Sequence, residues 1–219
     1  MPVATPSTAA TRSLPSPAAQ ADRLVALDVH ERAGLPAADL RDAARAVDDG
    51  ALLVVHPSLA PASMLAPLLC LDERPGFVVE DMTDVDAFGP IAGVEVPDGA
   101  VYAVAGLDRG DEMSNWSPDE ALPAIVGAGR TPLTLTEGIA WLLQCPDVLE
   151  RTRCFMTIGS RLRRPDVRLD ARTPALWISN GTGRDGKARR GAPKVGWCWA
   201  GNRHTWLGFA SAARRDPVL

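Results

Sequence analysis

The chain has 219 residues, 46% hydrophobic and 23% charged, which supplies the core of one domain and excludes a chain too polar to fold. Its formal net charge of −4 offers no global basic field for nucleic acid. No run of about 18 apolar residues is present to span a membrane, and the opening "MPVATPSTAATRSLPSPAAQ" lacks the apolar stretch of a secretory signal.

Residues 1–18, rich in Pro, Ser, Thr and Ala, predict a disordered leader. A single α+β domain is expected over 19–214, with 215–219 as a tail. In "AAQADRLVALDVHERAG", Leu24 and Leu27 lie three apart on one stripe, which predicts a helix ended by Gly34. "PAADLRDAARAVDDG" predicts a second helix, closed by Gly50. "ALLVV" reads as a buried strand. "APASMLAPLLCL" reads as a short helix, begun near Pro61 and interrupted by Pro67. "GFVVEDM" and "VYAVAGLD" read as strands.

The middle of the chain carries two helix-start signatures. In "SPDE", Ser117 takes the cap, Pro118 the first helical position and Glu120 the return position of a capping box. In "TLTE", Thr134 caps and Glu137 reaches back; the helix "LTEGIAWLLQ" then stops before Pro146, which opens a short turn. Four β-type segments follow: "RCFMTIGS", "PALWISN", "VGWCWAG" and "HTWLGFASA". Helices, strands, helices, strands, without βαβ alternation, predict an α+β fold. Its parts are N-terminal helices, a mixed or antiparallel sheet, and a C-terminal Trp-rich β-hairpin turned at "AGNRH".

Six of the eleven aromatic residues are Trp, and three of them fall within 195–212. Strand alternation places Trp197 and Trp199 on one face and Cys198 on the other, with His204 and Trp206 sharing a face on the return strand. Were the register to bring Cys198 to His204, a cationic imidazole would depress the thiol pKa and yield a nucleophile. That reading makes Cys198 the nucleophile, His204 its base, and Asp111 or Glu112 an acid or orienting group. Trp197, Trp199 and Trp206 then wall a pocket, and Asn202, Arg109 and Asp108 complete the ligand-binding set. The competing reading is a hairpin that fills the core, with Cys198 packed as a small hydrophobe.

Cys70, Cys145, Cys154 and Cys198 are irregularly spaced and, without an export signal, are expected to be reduced thiols of a cytoplasmic protein. Cys198 and His204 stand alone as a pair, so no metal site is predicted and no cofactor is named. "GLDRGDEMSNWSPDE" concentrates acids in a loop. The helix dipole explains Asp119 and Glu120 but not Asp108, Asp111 and Glu112. "GTGRDGKA" superficially matches a phosphate cradle, yet Ala188 replaces the Ser or Thr that would bind magnesium, and Gly191 and Pro193 forbid the required helix. A mobile basic loop bearing Arg184, Lys187, Arg189 and Arg190 is expected instead.

Together, "DRGDEMSNWSPDEALPAI", "GRTPLTLTEGIAWL", "RCFMTIGSR", "PALWIS" and "GAPKVGWCWAGNRHTWLGFASA" resemble a family of uncharacterised actinobacterial proteins of about this size, a domain of unknown function. The resemblance spans roughly 52–214. It implies a cytoplasmic bacterial protein and transfers no catalytic roles. The expectation is an enzyme-like small-molecule site of undefined reaction; the alternative is a non-catalytic ligand- or protein-binding accessory protein. Neither membrane nor nucleic acid is an expected partner.

Overall fold

The helix Leu135–Gln144 organises the molecule, because all ten of its residues are buried, the polar Thr136, Glu137 and Gln144 included. The computed structural model describes residues 13–219. Its helices are α1 (Pro17–Ala26), α2 (Val29–Arg32), α3 (Ala37–Arg45), α4 (Ala62–Leu65), α5 (Pro118–Gly127) and α6 (Leu135–Gln144). One antiparallel sheet has the order β1 (Leu52–Val55), β6 (Val101–Ala105), β14 (Arg214–Pro217). A five-stranded mixed sheet has the order β12 (Leu207–Phe209), β8 (Cys154–Met156), β10 (Arg172–Ile178), β11 (Pro193–Trp199), β4 (Phe77–Val78). Three two-stranded ladders join β2 (Cys70–Leu71) to β3 (Arg74–Pro75), β5 (Phe88–Pro90) to β9 (Ser160–Leu162), and β7 (Thr131–Pro132) to β13 (Ser211–Ala212). The α+β class and the mixed and antiparallel sheets agree with the sequence. Among the described residues, no helix is long and apolar enough to cross a membrane.

α6 lies against β1 on one side and β10 on the other, so the two sheets share it as a common core element. Strand alternation then divides the larger sheet. Phe155, Leu176 and Val195 point into the main core with α6, while Cys154, Met156, Ala175 and Phe209 form a second cluster with Ala121 and Ile125 of α5. Each fully buried Leu, Ile or Phe here contributes about 1.5–3 kcal/mol. At the other end, the buried Gln20 of α1 accepts from Leu53 N–H (2.9 Å) and donates to the Ala51 carbonyl (2.8 Å). The edge of β1 is thereby closed by a side chain rather than left for another strand.

Both capping boxes form: Ser117 Oγ accepts from Glu120 N–H and Thr134 Oγ1 from Glu137 N–H, with the glutamates accepting in return. The first predicted helix breaks in two, because Asp28 adopts the left-handed conformation (φ 55°) that Asp tolerates better than most residues. Helix α1 begins at Pro17 under a Ser16 cap, so the last residues assigned to the leader belong to the fold; residues 1–12 lie outside those described.

Two expectations are corrected. The segment assigned as a tail is largely β14, which pairs along β6, and the carbonyl of Leu219 accepts from Val101 N–H at 3.0 Å. The C-terminal hairpin does not exist: β11 pairs with β10 on one edge and, in parallel, with β4 on the other. With both edges of β11 occupied, the returning chain crosses to the far side of the sheet, where β12 pairs in parallel with β8.

Candidate functional site

The crossover from β11 to β12 is held by the loop after β6. Asn115 N–H donates to the His204 carbonyl (3.0 Å) and Asp119 N–H to the Ala200 carbonyl (3.2 Å). An Arg203–Glu120 ion pair adds a side-chain link. Three indoles carried by these segments are exposed: Trp116 is 41% exposed, Trp199 47% and Trp206 50%. Trp197, half-buried against the main core, meets Trp199 edge-on at 4.6 Å, and the His204 ring stacks on Trp206 at 4.6 Å. Alternation along β11 is as expected: Trp197 packs toward the main core and Cys198 toward the α5 cluster.

The expected catalytic set is not joined by hydrogen bonds among the described residues. Among the described residues, no hydrogen bond joins Cys198 to His204, and neither Asp111 nor Glu112 bonds to either of them; the side-chain partner of Cys198 is Asn202, whose Nδ2 lies 4.0 Å from the sulfur. Burial pushes the Cys198 thiol pKa up, against smaller opposing effects of the Trp199 N–H and Asn202. Cys154 is pushed further, to about 12, by burial first and by the nearby Cys198 and Asp111, with Arg109 opposing. The surroundings of both thiols favour the neutral form.

The acidic loop is mostly structural. Asp108 pairs through its backbone with Ser211, and its Oδ1 accepts from Gly110 N–H at 2.8 Å, closing a turn. Arg109 lies 3.3 Å from both Asp111 and Glu150, and Arg153 lies 3.8 Å from each of the same two acids. The loop presses onto β12, where a Cβ on Gly208 would meet the Arg109 carbonyl at 2.7 Å and Asp111 Oδ1 at 2.8 Å. Only Glu112 is exposed and without a bonded partner among the described residues.

The glycine-rich loop folds into two short 3-10 turns, and two of its four cations are engaged: Arg184 pairs with Asp81 (2.7 Å), and Arg189 approaches Glu80 (3.8 Å) and covers the Phe77 ring (4.5 Å). Beneath it, Lys194 and Ser179 both donate to Asp185 Oδ2 at 2.8 Å. The cleft it encloses, about 310 Å³, is lined by acids and bases in equal number rather than by a free basic patch. Among the described residues, no group of three or more His, Cys, Asp or Glu side chains is placed to hold a metal ion.

Sequence reasoning missed Trp116; the available signal was an indole in a loop already marked as a candidate. It also missed Glu150 and Arg153, which complete the charge cluster around Arg109 and have no local sequence signature.

These features define an α+β protein in which a buried helix lies between its two larger sheets and three indoles are exposed on the loops. The chain belongs to a family of unknown function, DUF5701, whose family model matches residues 23–218. No curated protein and no solved structure matches the chain.

Proposed function

We propose that the chain is a non-catalytic binding protein of the bacterial cytoplasm, which takes a ligand or partner on the surface formed by Trp116, Trp199 and Trp206. The observation that carries this reading is the exposure of three indoles on two segments that hydrogen-bond to each other through the backbone. Exposed clustered aromatics supply large, rigid contact area at low entropic cost and are enriched where proteins bind. The raised thiol pKa values favour binding over the alternative in which Cys198 attacks a substrate.

Screening a metabolite set by thermal shift and indole fluorescence tests this. A true ligand raises the Tm of the wild-type chain and alters its emission. Both effects should vanish in the Trp199→Ala/Trp206→Ala double variant, which truncates exposed side chains only. Rapid alkylation of Cys198 by iodoacetamide at neutral pH would refute the non-catalytic reading.

A further inference from the structure

A second site, distinct from the aromatic surface, lies at the N-terminal end of α6. A cavity of about 70 Å³ opens there, with Leu135, Thr136 and Ser160 on its floor and Pro61, Val85 and Phe88 among its walls. That volume suits a group of a few heavy atoms. The hydrogen bonds of the first turn can be counted. Leu135 N–H donates to Ser160 Oγ (2.9 Å), Thr134 N–H to Glu137 Oε2 (2.8 Å) and Glu137 N–H to Thr134 Oγ1 (3.3 Å). Thr136 is left over. Among the described residues its N–H has no acceptor and its hydroxyl makes no hydrogen bond, although the residue is only 7% exposed and lines the cavity. Ser160, 2% exposed, spends its oxygen as an acceptor and leaves its proton without a bonded acceptor among the described residues.

Three donors therefore converge on one small space: the Thr136 amide, the Thr136 hydroxyl and the Ser160 hydroxyl. A buried donor without an acceptor costs about 1–3 kcal/mol, so the arrangement calls for a group that only accepts. A carboxylate is such a group. The unbonded Thr136 amide and the positive end of the α6 dipole add attraction for negative charge. No cationic side chain lines the cavity, and the exposed Asp86, held by the Ser63 amide (2.8 Å) and hydroxyl (2.5 Å), stands at its rim. With Asp86 there and no cation to offset it, a dianion is repelled about twice as strongly as a monoanion, so the single charge is favoured. The proline and phenylalanine walls match a short hydrocarbon body. We infer that this cavity binds the carboxylate of a small apolar monocarboxylic acid, with Thr136 and Ser160 as its donors.

Titration of the full-length protein with sodium isobutyrate, followed by amide NMR, tests the site. Saturable shifts are expected at the Leu135 and Thr136 amides. Isobutyramide, equal in shape and uncharged, should bind about tenfold more weakly or not at all, since bonds to charged groups are the stronger ones. Thr136→Val, which removes the hydroxyl without changing the shape, should weaken isobutyrate binding by a similar factor while leaving the Tm unchanged or higher. The assignment is overturned by unsaturable or absent shifts at Thr136, by equal binding of the amide, or by tighter binding of inorganic phosphate, which would mark a dianion site. The isobutyramide comparison uses the wild-type chain alone, so it stands whether or not the variant folds.

Discussion

Arg215 offers the sharpest test of how the core is held. It is almost fully buried, and its guanidinium engages Glu137 through Nε (2.5 Å) and Nη2 (2.7 Å), Thr131 Oγ1 (2.6 Å) and the Pro132 carbonyl (2.9 Å). Glu137 is itself wholly buried, caps α6 and accepts from the Tyr102 hydroxyl at 3.1 Å. Burial, reinforced by the Glu137 charge, raises the Tyr102 pKa well above its ordinary value, so the phenol stays a donor. Arg215→Met would leave the carboxylate buried with the phenol and one amide as its remaining partners. Removing one partner of a buried pair costs about 3–5 kcal/mol, and at about 2–4 °C per kcal/mol for a chain of this size the Tm should fall by roughly 6–20 °C. Urea unfolding followed by Trp emission and by circular dichroism measures the loss. Replacing both charges, Glu137→Gln with Arg215→Met, should cost less than the sum of the single changes by at least about 2 kcal/mol, because no charge is then stranded. Should Arg215→Met cost under about 1 kcal/mol, or the two changes simply add, the buried pair would not be the link between α6 and β14.

The remaining predictions concern packing, acid and thiols. Gly138→Ala should destabilise the fold by about 1–3 kcal/mol despite the better helix propensity of Ala, since the new Cβ would meet Thr157 Cγ2 at 2.5 Å and Leu176 Cδ1 at 2.7 Å; thermal melts check this. Burial alone would raise the Asp170 pKa, but the Arg172 amide and guanidinium and the Arg164 guanidinium outweigh it and hold the carboxyl at about 2. Because that folded value lies below the unfolded one of about 3.9, its stabilisation is present above about pH 4 and is lost as the pH falls toward 2. Asp170→Asn should weaken the protein at pH 7 and flatten the acid limb of its stability profile between those pH values. Iodoacetamide at pH 8 should label the exposed Cys70 within minutes and leave Cys154 unmodified until denaturant is added, as peptide mapping by mass spectrometry would show.

What the sequence made legible was local. Both capping boxes, the extent of α6 and the in–out alternation of Trp197 and Cys198 depend on residues within about four positions of one another, and all took the expected form. Strand partners were another matter. The stretch "AGNRH" carries an acceptable turn signal, but a turn signal cannot report that β4, more than a hundred residues upstream, already occupies the open edge of β11. Nor could the composition of the last five residues show that Arg215 would be drawn inward by Glu137, since an exposed and a buried Arg look alike in sequence.

The same non-local step decides which side chains meet. Had β11 and β12 been neighbours, Cys198 and His204 would have stood near each other at the open end of one hairpin. With β12 moved to the β8 edge, the connecting segment instead runs across the end of the sheet, tied to the Asn115 and Asp119 amides. That path leaves Cys198 beside Asn202 rather than an imidazole, and it spends His204 on stacking with Trp206. A thiol without a proton acceptor, in partly apolar surroundings, gains nothing by ionising. The indoles meanwhile are turned outward, where burial against a second molecule would remove apolar surface that the fold itself leaves wet. The crossover thus gives Cys198 and His204 different neighbours and leaves Trp199 and Trp206 exposed.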